Sequence, residues 1–254
     1  MERVKALLGP RGKKIRNLER VFVADGLQSL RSALIPHIAT APKIEMLYLT
    51  DDGLEKLRLE FAQEILDRYE VIMVSDPVMN AMTDTQSPQG ILALCKYLPT
   101  DLTRFTNLSL KRVAYFWQIQ DPGNAGTAIR TADACGFDLV IFSVQSVDIY
   151  SPKVVRSTAG SLWNIPVVDD VPLDLLEEFS YEHHLALVAL DGTSDQRLEE
   201  IDKSAPTVLV FGNEGRGLPE LAPAFQSISI PMRGHAESFN VASAAAISMY
   251  FLSN

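Results

Sequence analysis

Residues 207–248, TVLVFGNEGRGLPELAPAFQSISIPMRGHAESFNVASAAAIS, leave the chain few ways to fold. Thr207 to Phe211 is an apolar, β-prone run that stops on Gly212-Asn213-Glu214-Gly215-Arg216-Gly217. Such a pattern predicts a buried strand feeding a loop of open backbone. A second short strand, Ser227 to Met232, leads to a polar loop, Arg233 to Glu237, and then to a helix starting near Ser238. Small residues fill that helix, among them Val241, Ala242, Ala244, Ala245 and Ala246. Two strand ends, two polar loops and a helix start in so short a span suit a ligand site at the carboxyl ends of parallel strands. Two ordinary strand-to-helix turns would give the same pattern.

The preceding sequence repeats the theme. Val113–Ile119 is an apolar strand ending on Gln120-Asp121-Pro122-Gly123-Asn124-Ala125-Gly126. A helix follows to Cys135, stopped by Gly136, and the strand Asp138–Phe142 completes a βαβ unit. Asn124 suits the N-cap of that helix. Arg130 lies among Ala128, Ile129, Ala132 and Ala134, where a small or apolar residue is expected. Its side chain either snorkels to water or projects into a site. Pro152 opens a short helix on which Lys153 and Arg156 share a face able to hold an anion. Ile165–Val168, Leu173–His183 and Leu185–Leu190 continue as strand, helix and strand. His183 and His184 fall at a helix end, where a capping or solvent-facing role is expected.

Upstream lies a smaller α/β unit, with strands at Arg20–Ala24, Met46–Thr50, Tyr69–Val74 and Gly90–Leu94. Its helices are Leu27–Ile35 and Leu54–Asp67. Leu98–Leu110 has a proline, several polar residues and no clear period, so it reads as the linker. The expected domains are therefore 1–105 and 106–254.

A net charge of −9 argues at first against a polyanionic partner. The charge is unevenly spread, however, because residues 1–105 carry 14 Lys+Arg against 14 Asp+Glu, and residues 106–254 carry 9 against 18. Seven cations crowd the first twenty residues: Arg3, Lys5, Arg11, Lys13, Lys14, Arg16 and Arg20. Such a segment can follow a phosphate backbone, or can be a solvated basic helix. Cys95 and Cys135 are far apart without metal-type spacing, and free thiols in a reducing cytoplasm are expected, with no metal site. No apolar run approaches the roughly 18 residues of a membrane span. The start, MERVKALLGPRGKK, lacks an apolar signal core, so a cytoplasmic location is expected.

Common catalytic motifs are missing: there is no G-x-G-x-x-G, no G-x-x-x-x-G-K-[ST], no G-x-S-x-G and no H-E-x-x-H. What remains at strand ends is Asn124, Arg130, Glu214, Ser238 and Asn240. Amide, guanidinium, carboxylate and hydroxyl can orient a polar substrate and hold a phosphate, whereas the lack of a histidine or a cysteine nucleophile disfavours acyl or covalent chemistry.

Three blocks together resemble the SpoU (TrmH-type) family of RNA ribose 2′-O-methyltransferases. They are DPGNAGTAIRTADACGF at 121–137, VLVFGNEGRGLPEL at 208–221 and ISIPMRGHAESFNVASAAA at 228–246. DIYSPKVVRSTAGSLWNIPV at 148–167 is also similar to that family. The first part, with RVFVADGLQSLRSAL and TQSPQGILAL, is similar to the L30e-like substrate-binding domain that often precedes it. It departs at Asp25, where that family usually has glutamate, and Phe239 stands where leucine is usual.

The resemblance implies a SPOUT architecture: an α/β domain with a six-stranded, mostly parallel sheet and a deep trefoil knot, preceded by a smaller L30e-like α/β domain. It implies a homodimer packed partly through the last helix. S-adenosyl-L-methionine would be the cofactor, met by Gly212, Asn213, Gly217, Ile230, Met232 and Phe239. Arg130 would be the central catalytic residue, with Asn124, Glu214, Ser238 and Asn240 orienting it and the target ribose. RNA, ribosomal rather than transfer, would be the substrate, with phosphate contacts at Arg11, Lys13, Lys14 and Arg16. A transfer-RNA ribose enzyme, a base methyltransferase of the same fold and a non-catalytic RNA-binding factor stand as alternatives.

Overall fold

The computed structural model describes residues 1–98, 101–106, 108–221 and 223–254. The chain opens with α1 (Glu2–Leu8), α2 (Gly12–Glu19), β1 (Val21–Asp25), α3 (Leu27–Leu34) and β2 (Ile44–Leu49). Then come α4 (Asp51–Glu60), α5 (Gln63–Leu66), β3 (Val71–Met73), α6 (Asp76–Ala81) and β4 (Ile91–Lys96). The remainder begins β5 (Arg112–Phe116), α7 (Pro122–Ala134), β6 (Leu139–Ser143), α8 (Pro152–Ser157) and β7 (Val167–Val171). It ends α9 (Leu173–Glu182), β8 (Ala186–Leu190), β9 (Thr207–Phe211), β10 (Phe225–Ile228) and α10 (Val241–Ser253). Of the expected linker, Pro99, Thr100 and Asn107 lie outside the described residues.

Two compact units result. One holds 1–98 and 148–164, the other the described residues of 99–147 and 165–254. In the first, β4 lies between β1 and β2, antiparallel to both, and β3 pairs parallel with β2. Val4, Leu7, Val21, Val23, Leu92 and Leu94 form its core on one face. Thr50 caps α4 by accepting from the Gly53 amide at 3.1 Å. The single helix expected over Leu54–Asp67 is broken, because Phe61 turns to extended backbone between α4 and α5.

Segment 148–164 belongs to this unit through its aromatic residues. Tyr150 stacks on Tyr97 at 3.8 Å between centroids, and Phe22 approaches Tyr150 at 4.9 Å and Trp163 at 6.0 Å. The Trp163 indole donates to the Pro42 carbonyl at 3.0 Å, which satisfies its one polar atom in the core.

The same segment captures Arg16. This side chain is 5% exposed and pairs with Asp148, and its guanidinium also donates to the Leu7 carbonyl. Arg16 is thus a structural cation with no face toward a phosphate, which corrects the expectation that it contacts RNA. Arg11, Lys13 and Lys14 on the same stretch are exposed. Removing one member of a buried pair strands the other charge, so Asp148→Ala should cost about 3 kcal/mol of stability. Pairing Asp148→Ala with Arg16→Met should recover most of the loss in denaturant melts. Equal losses in the single and double variants would refute the ion pair's role.

In the second unit six strands run in the order β10-β8-β9-β5-β6-β7, and every pairing is parallel. The sheet is therefore all-parallel rather than mostly parallel. β6 and β9 are buried throughout, as a strand covered on both faces must be. Tyr115, Ile141, Val168, Leu176 and Val210 lie in its core. The strand expected at Ser227–Met232 ends at Ile228, and Pro231, which has no amide to donate, stands three residues beyond. α7 is capped by Asp121, not Asn124: the Asp121 carboxylate accepts from the Asn124 amide at 2.9 Å, with Pro122 at the first helical position. Asn124 therefore sits inside the first turn with its side chain free for other work.

Candidate active site

The loops after β8, β9 and β10 converge at the carboxyl ends of their strands around a cavity of about 740 Å³. That size lies in the usual range for small-molecule sites. Gly212, Asn213, Gly217, Ile230, Met232 and Phe239 all line it, as do Glu214 and Ser238. Eight residues expected at a cofactor and its substrate thus line one cavity.

The loop after β9 is closed on itself. Asn213 and Gly217 exchange main-chain hydrogen bonds at 2.9 and 3.0 Å. The Asn213 side chain accepts from the Gly215 and Arg216 amides at 2.9 and 3.1 Å. Gly217 has φ +67°, a left-handed conformation that glycine adopts without steric cost. At Gly212 the reason for glycine is space: a Cβ there would lie 2.6 Å from the Gly217 carbonyl carbon.

A chain of directed hydrogen bonds runs beside the cavity. Asn240 caps α10, its side-chain oxygen accepting from the Ala242 and Ser243 amides at 2.9 and 3.3 Å. Its amide nitrogen donates to the Asn124 side-chain oxygen at 3.1 Å, and Asn124 in turn donates to Glu214 Oε1 at 3.1 Å. Donors thus run from the positive end of a helix to a carboxylate, joining α10, α7 and the loop after β9. The second Glu214 oxygen has no hydrogen-bond partner among the described residues.

Arg130 stands apart from this chain. It is exposed on α7, and its side chain makes no hydrogen bond or ion pair among the described residues. Asn124, Arg130 and Asn240 do not line the cavity. Sequence reasoning missed Leu190, Asp191 and Gly192, which line it from the end of β8. The signal was there in an apolar strand ending on Asp-Gly.

A parallel α/β sheet with a small-molecule cavity at its strand ends, lined by the Glu214 carboxylate, defines a ligand-binding α/β domain. Residues 111–250 match the SpoU rRNA methylase family and residues 2–93 the MRM3-like substrate binding domain. The chain belongs to the SpoU rRNA methylase family. It is 32% identical over 245 residues to the 23S rRNA (guanosine(2553)-2′-O)-methyltransferase RlmP of Bacillus subtilis, covering 94% of this chain and 91% of that one. It is also 32% identical to the 23S rRNA (uridine(2479)-2′-O)-methyltransferase of Streptomyces viridochromogenes, covering 96% and 86%. Among solved structures, an AdoMet-bound rRNA methyltransferase from Sinorhizobium meliloti superimposes with a TM-score of 0.83 at 28% identity, over 99% of this chain and 92% of that one.

Proposed function

We propose that this protein transfers a methyl group from S-adenosyl-L-methionine to a ribose 2′-hydroxyl of ribosomal RNA. The observation that carries the proposal is the cavity after β8, β9 and β10 lying beside the Asn240–Asn124–Glu214 chain. Its lining fits the cofactor: Ile230, Met232 and Phe239 offer apolar surface for an adenine, and the Gly212–Gly217 loop offers open backbone for polar groups. When bound, S-adenosylmethionine supplies a methyl group already activated on a sulfonium.

The chain's own task is alignment and charge handling. Glu214, held at one oxygen by Asn124, presents its other oxygen to a hydroxyl donor such as the ribose. Ser238 adds a second polar group to the cavity lining, and Asn240 fixes Asn124. The Arg130 guanidinium serves as an electrostatic anchor for RNA phosphate or a developing alkoxide. This makes it the central catalytic residue without making it the base.

Residues 1–105 would form the RNA-holding domain and 106–254 the methyltransferase domain, its last two blocks threaded as a trefoil knot. Arg11, Lys13 and Lys14 are exposed on the basic first segment and suit phosphate contact. Reversing these three charges should weaken RNA binding and reduce the slope of log affinity against log salt by about 3. An unchanged slope would exclude the contact.

α10 leaves Ile247 and Tyr250 38% and 67% exposed on a face shared with Phe251 and Ala246. A second copy of the chain packed there accounts for that apolar surface, and a monomer mass by light scattering would refute it. Among the described residues no helix is long and apolar enough to cross a membrane, and a cytoplasmic location suits an rRNA substrate.

The deciding experiment is methyl transfer from labelled S-adenosylmethionine to ribosomal and transfer RNA fractions, with the label traced to sugar or base. Label on a ribose of ribosomal RNA is the expected result. Label on a base, or on transfer RNA alone, would overturn the reading.

A further inference from the structure

The cavity-lining loop from Asn213 to Gly217 is held at Glu214 by Asn124, and at two further points by Gln118. Gln118, just beyond the end of β5, has φ +48°, a left-handed conformation that costs a non-glycine residue on the order of 1 kcal/mol. Its amide donates to the Ser143 hydroxyl at 2.7 Å, and its carbonyl turns out of the sheet to accept from the Asn213 side chain at 2.6 Å. Gln120 also donates to that carbonyl, at 3.0 Å.

The side chain of Gln118 reaches the other end of the same loop. Its oxygen accepts from the Arg216 guanidinium at 3.0 Å, and its nitrogen donates to the Gln145 side-chain oxygen at 3.2 Å. Gln145 too is left-handed, with φ +64°, and its carbonyl accepts from Gln120 at 2.7 Å. Two non-glycine residues in a conformation that glycine would adopt more easily therefore meet at one spot. Glycine at either place would remove the backbone cost and with it the side-chain grip. Glutamine at these places supplies side-chain hydrogen bonds that glycine cannot.

We propose that Gln118 is a positioning residue for the cofactor loop, acting through Arg216. The proposal rests on reading the cavity as the S-adenosylmethionine site. With Asn213 held by the main chain of Gln118 and Arg216 by its side chain, the loop is set before the cofactor arrives. Little ordering is then left to oppose binding. Arg216 lines the cavity, so fixing its guanidinium also fixes a positive charge on the cofactor's wall.

Gln118→Gly separates positioning from structure, because glycine relieves the left-handed strain while keeping the main-chain hold on Asn213. The test is calorimetric titration of the full chain with S-adenosylmethionine, alongside the melting temperature without it. Gln118→Gly should bind about five- to tenfold more weakly while melting no lower than the parent. Arg216→Ala should weaken binding similarly, and adding Gln118→Gly to it should do little more, since one side chain acts through the other. Affinity within about twofold of the parent in Gln118→Gly, beside a loss in Arg216→Ala, would overturn the positioning role alone. Affinity and melting temperature falling together would make Gln118 a structural residue and overturn it as well. If the parent chain itself fails to bind S-adenosylmethionine, the reading of the cavity falls and the proposal with it.

Discussion

Arg130→Ala should lower methyl transfer about 10²–10³-fold, or roughly 3–4 kcal/mol of transition-state stabilisation, while leaving cofactor affinity and melting temperature in place. The separation follows from where the residue sits. Arg130 does not line the cavity, so removing it takes nothing from the cofactor wall. It is exposed on α7, with no partner among the described residues to strand. Alanine is also the better helix former, so α7 loses nothing. An exposed cation with no hydrogen bond or ion pair among the described residues fits the proposed role, which is exercised only when RNA is bound.

Arg130→Lys refines the test. Lysine keeps the charge and loses the planar fork, so activity between that of the parent and that of alanine would mark bidentate anchoring of a phosphate or alkoxide. Full activity in Arg130→Ala, measured by label transferred to ribosomal RNA at saturating cofactor, would remove Arg130 from the mechanism. A parallel fall in cofactor affinity would place it on the cofactor instead.

What the sequence disclosed and what it hid divide along physical lines. The loop after β9 was legible because an apolar run that ends on clustered glycines has few other readings. Apolar strands separated by helix-length segments pointed to a mostly parallel sheet; that every pairing is parallel emerged only in the fold. The polar set at Asn124, Glu214 and Asn240 was visible as residue types, but its direction was not: which amide donates to which oxygen depends on three elements meeting. Asp121 and Asn124 are both good capping residues, and only the backbone path decides that Asp121 caps. Arg16 looked like its neighbours Lys13 and Lys14, since its partner Asp148 lies 132 residues away and nothing local announces the pair. Gln118 is the extreme case. A non-glycine residue in the left-handed region leaves no mark on the sequence, so a residue touching both ends of the cavity loop passed as the end of a strand.

The two glycines that bracket that loop should respond to alanine in opposite ways. At Gly212 the added Cβ would sit 2.6 Å from the Gly217 carbonyl carbon and 2.9 Å from the Leu218 nitrogen. Both are main-chain atoms in a loop pinned by the Asn213–Gly217 pair, so no side-chain rotation relieves the contact. Restoring normal separation requires the loop to move by about 1 Å, and displacements of that size in a binding site cost on the order of 10²-fold. At Gly217 nothing lies within 4 Å of an added Cβ, but the φ of +67° penalises it. Gly217→Ala should therefore lose about 1 kcal/mol of stability and retain its affinity for S-adenosylmethionine. Gly212→Ala should lose about 10²-fold in affinity, along with about 1–3 kcal/mol of stability from the forced contact. Melting curves with and without saturating cofactor separate the cases. Gly217→Ala starts lower and keeps the parent's upward shift, whereas Gly212→Ala starts lower and shows a much smaller one. A full shift in Gly212→Ala would mean that the loop opens without consequence and that the cofactor does not depend on its closure.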